Sequence, residues 1–121
     1  MVIRIASAVL SLAGLLALAS GLLYWTGTAV NLIQLHMLLG FLAVGALWVV
    51  GVGQLFATAG SWGIATAALL VGAATAVVGL MQASLIVGDF HWIVEVFHLI
   101  LGILTIGVGH VAAARYRKGK K

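Results

Sequence analysis

The chain has 121 residues, of which 64% are hydrophobic and 7% charged, with no proline and a formal net charge of +4. This composition lies far outside that of soluble domains and predicts membrane-spanning helices, enough for one small bundle without a separate soluble domain. Cysteine is absent, which excludes thiolate metal ligation, haem c attachment, iron–sulfur clusters and disulfides.

Four apolar runs read as helices at about 2–25, 31–57, 62–87 and 91–114, each close to the roughly 20 residues that cross a bilayer. A basic tail follows at 115–121. The connections at 26–30, 58–61 and 88–90 are short and rich in small residues, as between antiparallel neighbours. The expected fold class is therefore all-α: one four-helix transmembrane up-down bundle in the lipid bilayer. The first run also has the features of a signal peptide, with Arg4, an apolar centre and a small-x-small site at Ala17-Leu18-Ala19. It is read as a retained span, because its removal would put the ends of the remaining three spans on opposite sides.

The charges give the orientation. Arg115, Arg117, Lys118, Lys120 and Lys121 lie after the last run and Arg4 lies in the first. Such placement predicts an integral protein of a bacterial or archaeal inner membrane with both termini cytoplasmic. It does not point to nucleic acid. The same tail is open to a second use, gripping anionic lipid or a partner subunit. Asp89 and Glu95 then fall toward the outer face.

The second run carries His36, and the fourth carries His91, Glu95, His98 and His110. Ionisable groups at membrane depth are costly and mark a functional site by default. The segment His36-Met-Leu-Leu-Gly40-Phe-Leu-Ala-Val-Gly45 aligns without a gap on His98-Leu-Ile-Leu-Gly102-Ile-Leu-Thr-Ile-Gly107. The first and third runs echo each other through Gly14/Gly21 and Gly72/Gly79. The simplest account is a duplicated helical hairpin, each copy bringing one histidine.

The second and fourth helices run in the same direction, so His36 and His98 sit at depths that differ by only about 3 Å at 1.5 Å per residue. In an up-down bundle those helices are diagonal across the core. Two imidazoles there can clamp one iron, which predicts a single b-type haem with His36 and His98 as axial ligands. Gly40 and Gly102, one turn below each histidine, make room for a flat plate, and Gly14/Gly21 and Gly72/Gly79 can do so on the other two helices. For any one of these glycines close helix packing is the better account; it is their coincidence with the matched histidines that points to a plate-shaped ligand.

Glu95 lies between His91 and His98 on one helical face. Three roles are open to it: orienting His98, taking a proton from a quinol, or pairing with His91. His91 is either a solvated interfacial residue or a contact for substrate or for a haem propionate. His110 lies too deep to share that iron. A rival chemistry is a non-haem metal site drawn from His36, His91, Glu95 and His98.

At His36-x-x-Leu-Gly40 and His98-x-x-Leu-Gly102 the chain resembles the bacterial four-helix b-haem membrane proteins, including small quinol-oxidising cytochromes b and the four-helix halves of haem A synthase. The resemblance implies His36 and His98 as haem ligands and electron transfer with quinol or a partner subunit. It also brings two alternatives, a haem-modifying or quinol-oxidising enzyme with Glu95 or His91 as catalytic base, and an assembly subunit of a larger complex. In haem A synthase a glutamate stands four residues before the second-helix histidine; Leu32 occupies that position here. A lone haem near one face implies a partner, either another copy in a homo-oligomer or a subunit of a larger complex.

Overall fold

The structure is a computed structural model that describes residues 2–27, 33–56, 62–81, 84 and 88–118, without the side chains of 24, 117 and 118. The described residues form four helices: α1 (Val2–Trp25), α2 (Ile33–Gly53), α3 (Trp62–Met81) and α4 (His91–Lys118). All four are long and apolar enough to cross a membrane, which makes the chain an integral membrane protein by length and composition. Large apolar side chains point outward: Leu12 is 65% exposed, Leu70 65% and Ile103 54%. In water these faces would be costly; against lipid they are the solvated surface.

α1 keeps its expected bounds and α3 and α4 start where expected, whereas the ends of α2 and α4 differ for local reasons. α1 ends at Trp25, where Thr26 N–H still reaches the Leu22 carbonyl and Gly27 takes a left-handed φ of 77°, the usual glycine C-cap. α2 stops at Gly53 rather than 57. Its end tightens into i→i+3 bonds, from Gln54, Leu55 and Phe56 N–H to Gly51, Val52 and Gly53 carbonyls. The expected start of α2, at 31–32, lies outside the described residues. The described part of α3 ends at Met81, whose carbonyl accepts the Ser84 hydroxyl at 2.9 Å; the rest of the expected extension to 87 lies outside the described residues. Before α4, Gly88 turns the chain with a φ of 107°, and its carbonyl accepts the His91 N–H at 3.1 Å. α4 runs on to Lys118, into what read as a tail. Cationic residues suit the negative end of a helix dipole, so the basic run continues the helix instead of ending it.

Two clusters fix the topology. Ile3 and Ala6 from the start of α1, Val50 from the end of α2, and Ala112 and Ala113 from the end of α4 pack together, joined by Ile64 from the start of α3 and by Tyr116. Four helices that meet in this way alternate in direction. Deeper in, Leu10, Ala13, Ala43, Ala46, Leu47 and Ala68 form a second cluster, in which Leu10 and Leu47 are essentially sealed from solvent. Glycine makes the close approaches possible: a Cβ on Gly109 would collide with Leu10, and one on Gly51 would lie 2.5 Å from Ala68 Cβ. α2 and α4 touch across the diagonal. The half of the bundle that holds the chain ends is thus packed along its axis, with a groove between α3 and α4 lined by Ile64, Gly107 and Val111. The other half holds a cavity among all four helices.

Candidate functional site

Above the packed half, the four helices splay around a cavity of about 460 Å³, within the roughly 300–1,000 Å³ usual for small-molecule and cofactor sites. His36 and His98 line it from α2 and α4, Gly40 and Gly102 lie one turn below them, and His91 and Glu95 stand on the α4 wall. The structure therefore brings every residue singled out for the site to one cavity. Gly72 is the exception among the room-making glycines: a Cβ there would strike the Trp48 indole, so its space is filled by a side chain. Gly14 faces the cavity but has Ile106 against it. A Cβ on Gly40 would meet nothing within 4 Å, so that glycine does leave open space.

The two imidazoles face each other with ring centroids 6.2 Å apart and planes at 80°. Each ring is held edge-on by a glycine of the preceding helix. A Cβ on Gly21 would sit 2.8 Å from His36 Cε1, and one on Gly79 would sit 2.9 Å from His98 Cε1. The same contact thus recurs in both hairpins, on the glycines and histidines of the internal repeat.

His36 is further fixed by α1. Its Nδ1 lies 2.7 Å from the Ala17 carbonyl and 3.3 Å from the Ser20 hydroxyl, which itself donates to Ala17 O at 3.1 Å. A carbonyl only accepts, so Nδ1 carries the hydrogen and the lone pair of the neutral ring is on Nε2. His98 makes no hydrogen bond among the described residues, and its Nδ1 is buried without a partner. The repeat does not extend to these braces. Where the Gly21/Gly79 register puts Ala17 and Ser20 in α1, α3 has Thr75 and Val78.

Of the two histidines on its face, Glu95 meets His91. Its carboxylate is 3.7 Å from His91 Nε2 and makes no hydrogen bond to His98. His91 and Glu95 are both partly exposed, at 29% and 23% of their side chains, so they form the polar wall of an otherwise apolar cavity. Among the described residues no three histidine or carboxylate side chains are gathered as a metal-ligand cluster, so the geometry does not assemble the non-haem metal site. His110 lies elsewhere, exposed, with Nε2 3.3 Å from the Ser11 hydroxyl.

Three features of the site escape a sequence reading. One is the Ala17–Ser20 brace on His36. Another is Thr75, whose hydroxyl reaches the Val71 carbonyl at 2.7 Å and the Thr105 hydroxyl at 3.0 Å, tying α3 to α4 beside the cavity. The last is Gln54, buried in the closed half with its Nε2 on the Ala112 carbonyl and its Oε1 unpartnered. Ser20 had a detectable signal, as the hydroxyl residue directly before Gly21; the others are common in membrane helices and carry none.

Could the residues present accept a porphyrin? A metal–imidazole bond is about 2.0–2.1 Å, and a ring nitrogen lies about 1.1 Å from its centroid. Two imidazoles on opposite sides of one metal therefore have centroids about 6.3 Å apart, close to the distance found. An edge-to-face ring pair spans the same range, roughly 4.5–7 Å, so distance alone does not decide. The surroundings suit a porphyrin: the pair borders a largely apolar cavity, both rings keep a lone pair free of hydrogen bonds among the described residues, and Gly40 opens beside them. The site fits a haem. Comparison with protein-family models, with curated proteins and with solved structures gives no match.

Proposed function

We propose that the protein is a b-type membrane cytochrome holding one haem b per chain, with His36 and His98 as its axial ligands. The observation that carries this reading is the pair of imidazoles, 6.2 Å apart on diagonal helices, bordering a cavity of cofactor size. A haem supplies one-electron chemistry when bound. The chain's own residues do the rest. α2 and α4 position the two nitrogens, Gly21 and Gly79 set the ring planes, and the apolar wall excludes water. His91 and Glu95 stand where a hydroquinone entering the cavity would leave a proton, which supports quinol as the electron donor, with a partner subunit as acceptor. The basic residues at both ends of the chain support an orientation with the termini in the cytoplasm of a bacterium or archaeon and the cavity toward the outer face. The test is a visible spectrum of protein purified with haem supplied, oxidised and after dithionite. Sharp, split α and β bands at about one haem per chain are expected. A colourless protein that takes up no added haem would overturn the proposal.

A further inference from the structure

The two halves of the site are not equivalent, and the difference has a chemical consequence. In the α1–α2 hairpin the imidazole is braced. His36 Nδ1–H donates to Ala17 O at 2.7 Å, Ser20 Oγ stands 3.3 Å away, and Gly21 closes on the ring edge. In the α3–α4 hairpin the glycine contact is repeated but the brace is not: His98 Nδ1 is buried and has no hydrogen-bond partner among the described residues. Val78 occupies the place of Ser20. Thr75, in the place of Ala17, spends its hydroxyl on Val71, Leu101 and Thr105. A hydrogen bond to the far nitrogen of a ligating histidine fixes its tautomer, holds its orientation and raises its basicity, and losing such a partner weakens metal affinity about 10–100-fold. The buried nitrogen also carries an unmet desolvation cost, so His98 gains hydrogen bonding by leaving its place.

Resting on the haem reading above, we propose that His36 is the permanent axial ligand and His98 the exchangeable one, so that the α4 side of the site takes a small uncharged ligand, of the diatomic-gas class, in place of His98. In the exchange His98 withdraws its nitrogen lone pair from the iron and the carbon lone pair of carbon monoxide replaces it. No electron or proton is transferred, and the imidazole stays neutral. The α4 side also has room beside the ring: a Cβ on Gly102 would touch only Leu18, at 3.7 Å.

The experiment compares haem content, spin state and carbon monoxide binding in the dithionite-reduced protein. His98→Ala should keep about one haem per chain in a high-spin form that binds carbon monoxide, and His36→Ala should lose the haem. Val78→Ser, which restores the missing hydroxyl, should weaken carbon monoxide binding about tenfold or more. Ser20→Ala should loosen haem retention, and Ser20→Thr should recover it, which a merely structural role for Ser20 would not require. Equal haem loss from both alanine variants, retention in His36→Ala alone, or unchanged carbon monoxide binding in a folded Val78→Ser protein would each overturn the assignment. If Val78→Ser fails to fold, the alanine pair decides. A wild-type protein that forms no low-spin haem would instead overturn the parent reading.

Discussion

At the scale of single residues, the site depends on what is missing from glycine. The Gly21 Cα lies so near the His36 ring that one added methyl would meet Cε1 at 2.8 Å, and the ring cannot retreat without giving up the Ala17 carbonyl. Gly21→Ala should therefore lower haem affinity about tenfold or more, read as low-spin absorbance per chain during haem titration. Gly40 makes the opposite case, since its added methyl meets nothing. Gly40→Ala should leave that titration unchanged, whereas Gly40→Leu should abolish uptake by filling the cavity while helix content by circular dichroism persists. Glu95 pairs with His91 and not with His98. Glu95→Gln should accordingly retain the low-spin spectrum and slow electron entry from a quinol by roughly 10²-fold or more, the usual worth of a positioned proton acceptor. Wild-type rates in stopped flow would leave the carboxylate as a polar partner of His91.

At the scale of the helices, lipid supplies no hydrophobic force between them, so packing and a few interhelical hydrogen bonds decide how they dock. Thr75 supplies one such bond, reaching Thr105 Oγ1 and the Leu101 carbonyl. Its loss is not severe, because Thr105 keeps its own bond to Leu101 O at 2.9 Å. Thr75→Val should destabilise the bundle by about 0.5–1.5 kcal/mol, measured by unfolding in mixed micelles. Gln54 follows a different ledger. It makes one hydrogen bond to Ala112 O but buries an acceptor that has no partner among the described residues, and an unmet buried acceptor costs about 1–3 kcal/mol. Replacing it with an apolar side chain of similar length removes both terms. Gln54→Leu should be close to neutral, within about 1 kcal/mol in the same unfolding measurement; a large loss would show that the Oε1 has a partner in the folded protein.

For the whole molecule, the distribution of packing accounts for where the site lies. The half containing the chain ends is closed by two apolar clusters, one of which joins the start of α1 to the end of α4. The opposite half opens into the cavity. The site must therefore face away from the chain ends. A reporter fused after Lys121 should be active only in its cytoplasmic form, as the basic residues imply. Activity of a periplasm-dependent reporter there would reverse the orientation and put the cavity at the inner face.

The residue pattern determined by itself that four helices form and that they belong in lipid, because apolar runs of that length have no other stable solution. It also placed His36 and His98 at one depth, since rise per residue is fixed and the repeat carries the same neighbours in both copies. Only the tertiary structure decided what each polar group touches. Glu95 has two histidines on its own helical face, His91 at i−4 and His98 at i+3; the spacing within α4 allows either contact, and the folded structure shows the one with His91. The brace on His36 comes from a backbone carbonyl of α1, and every residue has a carbonyl, so no residue type announces it. Nor could glycine spacing separate Gly40, which opens onto the cavity, from Gly72, which receives the Trp48 ring: both answers depend on which side chain the facing helix offers. The inequivalence of the two histidines is of that kind as well, because the duplicated segment repeats the imidazole and its glycine while the partner helices differ at Ser20 and Val78.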